Sequence, residues 1–228
     1  MRYRIIGDTM PAVEIEFDAP GESIYTQSGG MAWMTEGIEM STNARGGLMK
    51  GLGRMFAGES MFMATYRAKR AGSSIAFAST VAGRVLPVDV GANGGLICQK
   101  GAFLCAQENV ELNITLSKTF SAGLFGGEGF ILQDLSGSGI AFLEVDGDMV
   151  ERELAPGEVL KVDTGNVVAF ERSVSYEVET VKGLGNIFFG GEGLFLTKLT
   201  GPGKVIMQTQ NIAEFAGRIA RFIPTSGK

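Results

Sequence analysis

Histidine is absent from this 228-residue chain. Its absence removes imidazole metal ligation, histidine-activated nucleophiles and a histidine switch near neutral pH. Carboxylates remain as ligands for a hard cation, and Asp, Glu, Lys or Tyr as acids or bases. Cysteine is scarce: Cys98 and Cys105 do not form a CxxC motif, and two residues cannot frame a disulfide scaffold. Both sit in apolar stretches and are read as core thiols. No apolar run approaches the ~18 residues of a membrane span. The N-terminal MRYRIIGDTMP lacks the apolar core of a signal peptide. The expected compartment is the cytoplasm. A basic surplus is missing too: 20 basic against 25 acidic residues leave a net charge of −5. That argues against bulk coating of nucleic acid.

What is abundant is glycine, 34 residues spread along the chain without a collagen-like period. Hydrophobic residues make up 45% and charged residues 20%, a globular balance. Glycine dispersed between short apolar stretches fits tight turns joining short strands, so the expected fold is all-β.

Three blocks recur in one order. Ala19-Pro20-Gly21-Glu22 returns as Ala155-Pro156-Gly157-Glu158, 136 residues later. At that same offset, Gly29 with Met31-Ala32-Trp33-Met34 matches Gly165 with Val167-Val168-Ala169-Phe170. Gly101 with Phe103-Leu104-Cys105-Ala106 stands between them. Alternating strands follow at Ile38–Thr42, Val110–Ile114 and Val174–Val178, with the period of two that puts one face in a core. The third block is Phe56-Ala57-Gly58-Glu59-Ser60, then Phe125-Gly126-Gly127-Glu128-Gly129, then Phe189-Gly190-Gly191-Glu192-Gly193. The spacing predicts three β-sandwich units over about 10–81, 82–146 and 147–210, packed with pseudo-threefold symmetry into one body spanning 1–228. A lone core of that size is marginal, and packing three together covers faces and edges. A short helix over about 211–223 is expected after them. Asn211 caps it, Ile212, Phe215, Ile219 and Phe222-Ile223 form an apolar stripe, Arg218 and Arg221 lie opposite, and Pro224 ends it. The stripe is expected to pack on the body, with partner binding as the alternative.

These motifs resemble, from about residue 3 to residue 224, the bacterial relatives of the Altered Inheritance of Mitochondria twenty-four family, a domain of unknown function. The resemblance rests on Gly-x-Met-Ala-Trp-Met, Gly-Glu-x-x-Phe, the paired Phe-Gly-Gly-Glu-Gly blocks and the closing Ile-Pro. It implies three units like the tryptophan RNA-binding attenuation protein fold with pseudo-threefold symmetry. Mitochondrial members are associated with inner-membrane organisation and respiratory complexes. The resemblance supplies no catalytic residue and no cofactor.

Gly51-Leu-Gly53 and Gly183-Leu-Gly185 begin like a dinucleotide fingerprint, but phenylalanine takes the third glycine position and a β-unit follows, so turn chemistry is preferred. Glu59, Glu128 and Glu192 recur at one place. They form either a carboxylate ring for a hard cation or one backbone acceptor per turn; the second is preferred, because a fold element is needed in every copy. Seven of the 11 methionines lie between residues 31 and 63. They are read as adaptable core packing rather than a copper(I) site. One charge asymmetry stands out. Arg45, Lys50, Arg54, Arg67, Lys69, Arg70 and Arg84 fall in a segment whose only acid is Glu59. The expectation is a non-enzymatic, homo-oligomeric scaffold or interaction protein with protein partners. The alternative is a module that binds RNA or acidic phospholipid through segment 45–84, and a metal-dependent enzyme comes third.

Overall fold

The structure is a computed structural model and describes residues 1–27, 29–43, 63–92, 94–118, 130–180, 195–220 and 222–223. These residues are almost entirely β. Strand β1 (Arg2–Ile6) comes first. Residues 10–81 hold β2 (Ala12–Glu16), β3 (Ser23–Gln27), β4 (Met31–Met34), β5 (Ile38–Asn43), β6 (Met63–Ala68) and β7 (Ser74–Ala78). Residues 82–146 hold β8 (Gly83–Asp89), β9 (Leu96–Gln99), β10 (Phe103–Gln107), β11 (Val110–Lys118), β12 (Phe130–Gly137) and β13 (Ile140–Asp146). Residues 147–210 hold β14 (Met149–Leu154), β15 (Val159–Asp163), β16 (Val167–Glu171), β17 (Ser175–Thr180), β18 (Phe195–Thr200) and β19 (Gly203–Gln208). A helix, α1 (Ile212–Ala220), follows.

The strands form four antiparallel sheets. The first runs β1-β2-β7-β4, the second β5-β6-β3-β10-β13-β8, the third β11-β12-β9-β16-β19-β14, and the fourth β15-β18-β17. Raising every strand number of the second sheet by six gives the third. Among the described residues, the six strands of each stretch face one another across a core as two groups of three. Three strands go to one sheet and three to the next, so β3 pairs with β10 and β9 with β16 across the stretches. The same bulge recurs where an extra residue bends the strand: Met31 to Trp33 in β4, Phe103 to Cys105 in β10, Val167 to Ala169 in β16.

Burial follows the stack. One core lies between the first and second sheets, with Ile15, Phe77, Ile24 and Phe142. A second lies between the second and third, with Tyr25, Phe103, Leu135 and Ile206. The last lies between the third and fourth, with Phe130, Phe170, Val162 and Leu199. Sequence pattern tracks position. In β2 the alternation turns Val13 and Ile15 inward, while Glu14 and Glu16 face Arg4 and Arg2 of β1 at 2.5 and 2.7 Å. In β13, covered on both faces, even Ala141, Leu143 and Glu144 are buried.

The Ala-Pro-Gly-Glu turns use one device twice. Gly21 and Gly157 take φ of +90° and +77°, which a side chain resists. Glu22 Oε2 accepts the amides of Asp18 and Ala19 at 2.7 and 3.3 Å, and Glu158 Oε2 accepts that of Ala155 at 2.9 Å.

Helix α1 departs from expectation. Asn211 does cap it, its Oδ1 accepting from the amides of Ala213 and Glu214 at 3.1 and 3.3 Å. Its Nδ2 donates to Asp163 at 3.2 Å, tying the cap to β15. Yet no helix residue is buried, and Ile212, Phe215 and Ile219 are exposed. The stripe does not pack on the body, because the cores between the sheets are filled by strand residues. Arg221 and Pro224 lie outside the described residues.

Candidate interaction surfaces

Glu59, Glu128 and Glu192 lie outside the described residues, as do Arg45, Lys50 and Arg54. The remaining basic candidates separate into two places. Arg67 lies near the end of β6, with Lys69 and Arg70 in the turn after it. Arg67 pairs with Glu108 at 3.0 Å and donates to the Gly21 carbonyl at 2.7 Å. Lys69 lies 3.4 Å from Glu39, and Arg70 donates to the Glu36 carbonyl at 3.1 Å. Arg84 is exposed on β8, the far edge strand of the same sheet. Four strand spacings of ~4.8 Å put it roughly 19 Å from β6. The structure therefore groups Arg67, Lys69 and Arg70 and leaves Arg84 apart.

The methionine-rich stretch also differs from expectation. Met63 is buried and Met31 packs against the first core, but Trp33, Met34 and Met40 are exposed. Core packing fails for Trp33 and Met34 because β4 ends the first sheet, with no further strand beside it among the described residues. The counterparts in the repeat show the contrast. Met34 is 41% exposed, whereas Ala106 in β10 and Phe170 in β16 are 0%. Trp33 is 46% exposed, and its counterparts Cys105 and Ala169 are 0%. Strand β15 repeats the pattern on the other side: Val159 is exposed, while Ser23 at the same place in β3 is buried.

The two paired seams show what these edges have in the interior. Between β3 and β10, Thr26 Oγ1 donates to the Leu104 carbonyl at 2.5 Å, Tyr25 stacks on Phe103 at 5.7 Å, and Ser23 donates to Glu108. Beside the β9–β16 seam, Arg172 reaches Asp134 at 2.6 Å. Each seam thus carries an ion pair to the residue that follows its right-hand strand, acidic in one case and basic in the other. A third seam of the same kind, β15 against β4, is not among the pairings of the described strands.

Titratable chemistry is sparse in the described residues. Both cysteines are fully buried, and burial pushes the Cys98 thiol up to about 12, with Asp134 adding to it, and the Cys105 thiol well up. Neither presents a thiolate. Glu144 is buried with Oε1 accepting from Ser79 Oγ and the Thr80 amide, both at 2.7 Å. Asp146, two residues on, is pushed up to about 6 by burial and then by the Glu144 charge. A shallow groove lined by Leu86, Val88, Leu96 and Ile206 is rimmed by Glu151, Glu171 and Lys204. Its rim charges are committed, Lys204 to Glu151 at 3.9 Å and Glu171 to the Lys204 amide at 3.1 Å. No helix among the described residues is long and apolar enough to cross a membrane.

Stacked antiparallel sheets that share strands between neighbouring stretches, with exposed edges at both ends, define an all-β architecture with surfaces rather than a cleft. The chain belongs to the family described as "Mitochondrial biogenesis AIM24", whose profile matches residues 3–210. An uncharacterised protein of Streptococcus pyogenes serotype M6 is 29% identical over 224 residues, covering 95% of this chain and 88% of that protein. A crystal structure of a Streptococcus pyogenes protein, solved by a structural genomics consortium, superposes with a TM-score of 0.78 at 26% identity. It covers 97% of this chain and 99% of that one.

Proposed function

We propose that this chain is a non-enzymatic scaffold of the cytoplasm that acts by associating with copies of itself and with protein partners. One observation carries the reading: apolar residues at the two ends of the stack are exposed where their counterparts inside it are buried. Trp33, Met34 and Val159 on strand edges and Ile212, Phe215 and Ile219 on α1 are left for a partner to cover. Sedimentation equilibrium across a concentration range tests it. Masses rising above the 24.1 kDa of one chain are expected; a monomer up to ~0.1 mM, where weak homotypic contacts already populate, overturns it.

Support for the alternative, a module for RNA or acidic phospholipid, is thinner. Arg67 and Lys69 already face carboxylates, which lowers the field available to a phosphate-rich partner.

A further inference from the structure

The open ends of the stack are two halves of one sheet. The second and third sheets each join a left half (β5-β6-β3, β11-β12-β9) to a right half (β10-β13-β8, β16-β19-β14). The fourth sheet, β17-β18-β15, is a left half without its right, and the first, β4-β7-β2 with β1 added, is a right half without its left. We infer that β15 of one copy pairs antiparallel with β4 of a second copy, so that the chain associates head to tail through a composite sheet built like its own interior ones. The proposal rests on the self-association reading above and names its surface.

The register follows from the two seams present. In the first, Ala106 faces Tyr25; in the second, Phe170 faces Ile97 and Ala169 faces Cys98. Carried along the repeat spacing, both seams put Met34 opposite Lys161, and the second puts Trp33 opposite Val162. Two independent templates give the same partner for Met34. Faces agree as well. Val162 already lines the third core, and Trp33, opposite it, would extend that layer. Charge fits in the same way. The position after the right-hand strand holds Glu108 in one seam and Arg172 in the other, each in an ion pair with the left half. At the open end this position is Glu36, and the left half holds Lys198 and Lys161, which Glu36 would share with their partners Glu177 and Glu179.

A second copy, rather than the same chain, supplies the missing half. Within one chain β15 and β4 are not paired among the described strands, and Trp33 and Met34 on β4 stay exposed. A contact that uses different surfaces on each partner is heterologous, and it closes into a ring or continues as a filament. Main-chain bonds along the added strand give the affinity, and the opposed side chains set the register.

Cysteine placement tests the seam. Residues directly opposite in antiparallel strands have Cα atoms about 4.5–5.5 Å apart, within disulfide reach. Met34→Cys and Lys161→Cys are made in separate chains; Cys98 and Cys105, fully buried, stay out of the reaction. Mixing the two variants under mild oxidation should give a cross-linked dimer that neither gives alone. Trp33, the single tryptophan, should shift its emission to the blue as concentration rises. Met34→Lys, set against Lys161, should weaken association at least tenfold, and Lys161→Glu in the same chain should restore it. An intrachain disulfide in the double-cysteine protein, or no mixed dimer, overturns the inference. If the protein still sediments above monomer mass in that case and Met34→Lys changes nothing, the seam is wrong and the self-association reading survives. A monomer throughout removes both.

Discussion

Asp146 shows how one buried charge sets a pH profile. Its carboxyl sits beside Glu144 at the end of β13 and titrates near 6 rather than at the ordinary 3.8. A carboxyl raised on folding holds its proton in the folded state while the unfolded chain has released it. Stability is therefore highest below about pH 4 in this group's contribution and falls as pH rises through 6. A rise from 3.8 to about 6 costs the folded state at most ~3 kcal/mol at neutral pH, and partial solvation of the carboxyl reduces that. Asp146→Asn should raise the urea midpoint at pH 7 by an amount worth ~1–2 kcal/mol and by much less at pH 4. An equal effect at both pH values would assign the gain to packing instead. At this scale the sequence was partly legible. Glu22 and Glu158 of the Ala-Pro-Gly-Glu turns accept backbone amides, a role the sequence suggested only for Glu59, Glu128 and Glu192, which lie outside the described residues. The repeated glycine was less transparent. Gly29 sits at φ +104°, whereas Gly165 leaves room for Asn211, whose side chain a Cβ would strike.

Among elements, the three bulged strands β4, β10 and β16 share sequence position and shape but differ in cover. Phe170→Ala in β16 should cost ~3–5 kcal/mol by emptying the third core, while Met34→Ala in β4 should cost under ~1 kcal/mol in the dissociated chain. Chemical denaturation at low protein concentration measures both, and equal losses would mean that β4 is covered in the monomer. Helix α1 makes a parallel case. Phe215→Asp should leave the denaturation midpoint of the dissociated chain within ~0.5 kcal/mol, since the side chain touches no core. A larger loss would show that the stripe packs on the body after all. Period and cap made the helix legible in the sequence, and alternation did the same for β5, β11 and β17. Its exposure was not, because an apolar stripe has the same spacing whether it meets its own chain or another. The same limit hid the edge at Trp33 and Met34, whose apolar character reads as core from composition alone.

The whole molecule couples local order to distant partners. Offsets between repeated blocks suggested sandwich units, but not that neighbouring stretches would share each six-stranded sheet; alternation fixes which face is apolar and says nothing about which strand lies beside it. Charge behaves likewise. Of seven cations close in sequence, the four described ones do not form one patch, since Arg67 meets Glu108, Lys69 meets Glu39 and Arg84 stands strands away. Replacing Arg67, Lys69 and Arg70 with serine is therefore expected to change binding to anionic vesicles or RNA little at ~0.1 M salt, where exposed charges are screened beyond ~10 Å. Loss of a salt-sensitive complex in that variant would restore the anionic-partner reading.

The shared sheets also set a waiting time during synthesis. Tyr25 finds its neighbour in Ala106, and Cys98 finds its neighbour in Ala169, each some 70 to 80 residues further along. At roughly 5–20 residues per second, β3 leaves the ribosome several seconds before β10 exists to cover it. For that interval the nascent chain displays a raw apolar edge, first from β3 and then from β9. A chain of this design depends on holding such edges apart until the next stretch arrives, and crowding several ribosomes on one message invites neighbours to pair with each other's unfinished sheets.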